Sequence, residues 1–228
     1  MKGTIFCRVA PFALFMAFVG LEEALRFLTG KGLLEISPQV VQGLYPVKAL
    51  AVALVLFLFR GSYDEINMRD LAKPLALMLS VAAGLAVFAF WVRLDLPWAT
   101  IGKPAGFDPN IYPDGSVRSV MTAFRLFGAV LVVPVMEELF WRSFLIRYIV
   151  SPDFSKVPVG HVTWPSFLVT AVLFGLEHNL VVAGILAGIV YNALLCHTRS
   201  LSSCILAHAV TNLALGIYVL TAGRWYFW

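Results

Sequence analysis

The sequence predicts an all-α fold, a polytopic membrane helical bundle of about seven to eight helices, and three observations predict it. Hydrophobic residues make up 60% of the 228-residue chain and charged residues only 13%. A soluble domain is about 45–50% apolar and about 25% charged. Apolar stretches near the about 20 residues needed to span a bilayer recur along the chain. The ionisable groups inside those stretches are few and fall into short clusters.

The expected helices are 9–28, 40–59, 74–92, 119–146, 165–179, 181–197 and 201–221. The first follows basic residues, as a signal peptide would, but has no convincing small-residue cleavage site, so it reads as a retained helix. The fourth is long and carries the stretch MEELFWR. The fifth and sixth are short and meet at Glu177-His178-Asn179. Such a break at membrane depth is tolerated where it lines a polar cavity. An eighth, re-entrant segment remains an open alternative. Residues 93–118 hold four prolines and three glycines and read as an irregular loop. The plain reading of that loop is a connector, and the alternative is a flap over a substrate entrance. The whole chain, 1–228, reads as one integral membrane domain: N-terminal helices over 1–92, the irregular loop over 93–118, and motif-bearing helices over 119–221.

GILAG, residues 184–188, has the GxxxG spacing that lets helices approach closely, read here as packing within the bundle. The net charge of +4 is spread over loops and helix ends, which suits lipid headgroups and gives no nucleic-acid footprint. With an odd number of spans and the N-terminus inside, Lys2, Arg8, Arg60, Arg69, Lys73, Arg147, Lys156 and Arg199 are cytoplasmic, and Lys31, Arg93, Lys103, Arg118 and Arg224 lie outside. The three cysteines, Cys7, Cys196 and Cys204, have no CxxC spacing and read as buried thiols.

Ionisable groups at membrane depth are costly, face the bundle interior and usually have a task. Two stretches pair glutamates with an arginine. In LEEALR, Glu22 lies four residues and Glu23 three residues before Arg26, so both carboxylates can reach one guanidinium. That cluster reads as structural. In MEELFWR, Glu138 lies four residues before Arg142, but Glu137 lies five before it and is rotated about 100° away. Glu137 is left without a local cation, in apolar surroundings, as suits a general base. His178 shares a helix face with Phe174, and His208 shares one with Asn212. His161 and His197 read as interfacial. Glu177 beside His178 reads as facing water at a helix end. The set Glu137, His178, His208 and Asn212 has the parts of a hydrolase acting through water: a base with its partner, and donors for an oxyanion. Glu138 and Arg142 support the site.

These residues form, in order, EExxxR at Glu137, Glu138 and Arg142, FxxxH at Phe174 and His178, and HxxxN at His208 and Asn212. The chain thereby resembles the CAAX prenyl endopeptidase and bacteriocin-processing family, also called ABI, of intramembrane proteases. YNALLCHTRSLSSCILAHAVTN resembles that family's final region, and the likeness spans roughly residues 119–216. It implies a glutamic-type protease of the cell (inner) membrane, with Glu137 and His178 activating water and His208 with Asn212 forming the oxyanion hole. It implies no cofactor, and as partners the lipid bilayer and a membrane-associated protein or peptide substrate. The length is that of the small bacterial members, some of which travel with exosortase-type sorting systems. Three alternatives stand beside it. One is a zinc-dependent protease using Glu137, His178 and His208, which have the ligand types of a catalytic zinc. Another is a non-catalytic scaffold or immunity protein of the same fold. The third is a transporter, suggested by the broken fifth and sixth helices.

Overall fold

Seven helices form an all-α bundle in the computed structural model, which describes residues 2–102 and 106–228. Lys103, expected on the outer face, lies outside the described residues, as does the side chain of Lys2. The helices are α1 (Lys2–Gly30), α2 (Pro38–Leu58), α3 (Pro74–Arg93), α4 (Ser116–Val150), α5 (Trp164–Leu176), α6 (Val181–Thr198) and α7 (Leu201–Ala222). All but α5 are long and apolar enough to cross a membrane, which makes this a multi-pass membrane protein.

The outer surface of the bundle is apolar, unlike that of a soluble protein. Large apolar side chains such as Leu54, Phe57, Met78, Leu85, Val172 and Ile217 point outward. Glu138, Arg142, Asn192 and Ser203 are buried inside. Lipid accepts the first set, and the bundle interior satisfies the second.

Local chemistry starts and stops the elements. Proline stands in the first turn of α2, α3 and α5, where its missing N–H costs nothing. Thr163 and Ser166 form a reciprocal capping box at the start of α5. The turn into α7 is built by Thr198, which accepts from the Ser200 amide at 3.3 Å, and by Ser200, which accepts from the Ser203 amide at 3.3 Å.

The GxxxG stretch does pack inside the bundle. A Cβ on Gly184 would lie 2.8 Å from the Gly175 Cα, and one on Gly188 would lie 2.8 Å from the Ala171 Cα, so α6 lies directly on α5. Gly188→Leu is therefore expected to lower the thermal midpoint sharply, because a side chain there meets backbone that cannot yield. A melting curve in detergent checks it, and an unchanged midpoint would contradict the close approach.

The long loop connects α3 to α4. Helix α3 runs through Arg93 and α4 begins at Ser116, so the irregular stretch is shorter than 93–118. It is also packed. Phe107 is buried against Tyr45 and Trp228, and the Tyr112 hydroxyl donates to the Gln39 carbonyl at 3.0 Å. Ile101 donates its amide to the Asn179 carbonyl at 2.7 Å and accepts from Asn179 Nδ2 at 2.9 Å. The loop thus lies over the break between α5 and α6.

The opposite end of the bundle is tied by Glu65, between α2 and α3. Arg8 binds its carboxylate at 2.6 and 2.7 Å, Ser143 donates to it, and Arg147 lies 3.7 Å away. Arg8 and Arg147, expected on one face, thus meet at one carboxylate. Burial alone would push the Glu65 carboxyl up, but hydrogen bonds from Arg8 and Ser143 outweigh it and hold it below its ordinary 4.5. A depressed folded value means this stabilisation is full above the unfolded carboxylate range and is lost as pH falls through the folded value. Thermal stability is expected to drop on acidification below about pH 4.3, and Glu65→Gln to flatten that part of the profile. Equal acid profiles for the two proteins would contradict it.

Candidate active site

The site is built around an irregularity in α4. Residues Gly128–Val132 and Leu139–Leu145 wind as π-helix, with i→i+5 bonds such as Val133 N–H to Gly128 O and Ile146 N–H to Trp141 O. Such bulges gather at functional sites. Here the cause can be read from one residue. In the wide register, the next donor after Val133 is Pro134, which has no N–H. The Ala129 carbonyl is thereby left without its helical donor, and Asn212 Nδ2 on α7 supplies one at 2.7 Å. A proline in one motif-bearing helix has thus made a place for an asparagine of another.

Glu138 and Arg142 form the expected pair, at 3.2 Å, fully buried. Arg142 donates from Nε to Asn192 Oδ1 at 3.1 Å and lies 4.3 Å from the Phe174 ring centre. Asn192 in turn donates to the Phe167 carbonyl and Thr170 Oγ1, both at 3.0 Å. The same Glu138 oxygen that meets Arg142 lies 3.0 Å from His208 Nδ1. One carboxylate thus holds both the arginine of its own helix and the histidine of α7.

Glu137 is different, as its spacing predicts. It is 4% exposed, and its Oε2 has no hydrogen-bond partner among the described residues. Its nearest cationic candidate is His208 Nε2, at 3.9 Å. His178 caps the α5 end, with Nδ1 2.8 Å from the Phe174 carbonyl. A carbonyl can only accept, so Nδ1 carries the proton and Nε2 carries the lone pair. The Trp91 ring meets His178 edge-on at 5.1 Å. Tyr191 stacks on His208 at 5.3 Å and fixes its own hydroxyl 2.7 Å from Thr211 Oγ1.

Glu137, His178, His208 and Asn212 line a single cavity of about 170 Å³. A second cavity of about 320 Å³ adjoins it, shares Arg125 and His178 in its wall, and reaches Glu22, Glu23 and Phe107 of the covering loop. All four predicted catalytic positions are therefore brought together, with Glu138 and Arg142 directly behind them.

Two expectations are corrected. Glu22 and Glu23 do not share Arg26: Glu23 binds Arg26 at 2.7 Å, while Glu22 crosses to Lys48 of α2 at 2.9 Å. Local spacing identifies which groups can meet, but a buried lysine on a neighbouring helix competes. Glu177 is half-buried and does not face water alone. It accepts from Trp141 Nε1 at 3.0 Å and lines the second cavity. The roles of Tyr191, Thr211 and Pro134 went unread in the sequence, where only the position of Pro134 five residues after Ala129 carried a signal.

Among the described residues no group of three His, Cys, Asp or Glu converges closely enough to hold a metal ion.

Comparison with known proteins agrees with the motifs. No curated protein and no solved structure gave a match to the chain. A family model does match, over residues 119–214, and its description is type II CAAX prenyl endopeptidase Rce1-like. The matched span holds EExxxR, FxxxH and HxxxN entire, so the motif-bearing part of this chain is similar to that family, in agreement with the resemblance the three motifs carry.

Proposed function

We propose that the protein is a glutamic-type intramembrane endopeptidase of the cell membrane, cutting a peptide bond in a membrane-associated protein or peptide. The observation that carries this reading is the convergence of an unpartnered Glu137 with His178, His208 and Asn212 on one cavity inside an apolar bundle. A purely structural role, as in a scaffold, accounts for Glu138, Arg142 and Asn192, which bond in series although Glu138 Oε2 and Arg142 Nη2 keep no partner among the described residues. It leaves Glu137 without a reason, since a buried polar group with no partner is costly.

The chemistry follows from the hydrogen bonds. A water between Glu137 and the His178 Nε2 lone pair gives its proton to Glu137 as its oxygen attacks the scissile carbonyl carbon. The carbonyl π bond opens and its electron pair goes to oxygen. His208 is held at Nδ1 by Glu138, so in its doubly protonated form it donates from Nε2 to that oxyanion. Asn212 spends one N–H on Ala129 and has a second for the oxyanion. As the C–N bond breaks, Glu137 returns the proton to the leaving amine. The products are a carboxylic acid and an amine, and Glu137 is regenerated.

The test is in cells. Membrane-protein termini compared by mass spectrometry between cells with the wild type and with Glu137→Gln are expected to include new C-termini only in the wild type. Identical sets of termini would reject the proposal. By the same resemblance, an exosortase-type sorting system is the neighbour to examine first for substrates.

A further inference from the structure

Arg125 on α4 lies in the wall of both cavities. Its guanidinium lies 4.5 Å from the Tyr45 ring centre, 5.8 Å from that of Phe107 and 5.9 Å from that of Trp228. The other cations of the second cavity are taken: Lys48 by Glu22, and Arg26 by Glu23. Glu177 accepts from Trp141. Among the described residues no carboxylate pairs with Arg125, and its buried Nε has no acceptor. The guanidinium lies over the Tyr45 ring, which steadies the cation, and its Nε–H has no acceptor among the described residues. An unsatisfied buried N–H costs more than a paired one gains, so the site calls for an anion brought from outside.

Building on the protease reading above, we propose that Arg125 is a specificity-determining residue that binds a carboxylate of the substrate. Arg125 lines the wall common to the cleavage cavity and the outer cavity. It lies twelve residues before Glu137 on the same helix, roughly 18 Å along the axis. An extended chain covers that distance in about five residues. The substrate carboxylate therefore sits within about five residues of the cleaved bond, supplied by an acidic side chain or by a chain terminus.

The experiment uses the full chain in lipid nanodiscs and three sets of N-palmitoylated decapeptides. The first lacks Asp and Glu and is amidated. The second is the same with a free C-terminal carboxylate. The third is amidated, with one Glu placed at each position in turn. Binding is read on the Glu137→Gln protein and cleavage on the wild type. One acid-bearing set is expected to bind about ten- to a hundredfold tighter than the neutral set. Which of the two sets does so names the source of the carboxylate. The gain is expected to vanish in Arg125→Gln and to survive in part in Arg125→Lys. Equal binding of all sets to the Glu137→Gln protein, or a full gain in Arg125→Gln, overturns the proposal. If Arg125→Gln fails to fold, the comparison of neutral and acidic sets, with Arg125→Lys, decides it. Glu137-dependent cleavage with no preference for acid rejects Arg125 alone. An acid preference dependent on Arg125, with no Glu137-dependent cleavage of any set, rejects the protease reading and leaves the anion site standing.

Discussion

Glu137→Gln is expected to abolish peptide hydrolysis while leaving the protein folded. The substitution is nearly isosteric, and Glu137 Oε2 makes no hydrogen bond that its loss would break. An amide cannot take the proton of the attacking water, so turnover should fall by about 10²–10⁴-fold, the usual worth of a general base. The thermal midpoint should stay close to that of the wild type. Single-turnover assays on any peptide released by the wild type, run beside melting curves, check both halves of the statement. A fully active Glu137→Gln protein would remove Glu137 from the mechanism.

Glu138→Ala is expected to behave in the opposite way, losing stability together with activity. Glu138 is the acceptor for Arg142 and for His208 at once, and all three are buried. Removing it strands a guanidinium in the bundle interior. Breaking a buried pair from one side costs about 3–5 kcal/mol, on the order of 10 °C in midpoint for a chain of this length. It also frees the His208 ring, so any remaining folded protein should hydrolyse slowly. Glu138→Gln keeps an acceptor and should fall between the two. A Glu138→Ala protein as stable as the wild type would show that Arg142 is satisfied in another way.

The contrast between those two adjacent residues was legible in the sequence, because their partners are decided by helical spacing. Glu138 stands four residues from Arg142 and Glu137 stands five. The spans were legible for the same kind of reason, since their length answers to bilayer thickness. Partners on other helices were not legible. Glu22 lies within local reach of Arg26 and yet binds Lys48, and Glu177 ends at Trp141 rather than in water. Nothing in a one-dimensional pattern ranks a near neighbour against a group brought in by the fold. The wide turns of α4 were missed because a spacing argument assumes 3.6 residues per turn throughout, although Pro134 breaks that assumption locally.

That proline has a mechanical consequence. The Asn212 bond to Ala129 joins α7 to α4 at a carbonyl that has no helical donor to return to. Sliding α7 along α4 would forfeit the bond with nothing in exchange. The His208 bond to Glu138 makes a second rivet between the same two rods, two turns of α4 further on. Two rivets resist both sliding and swivelling, so Glu137, His208 and Asn212 ride on one chassis.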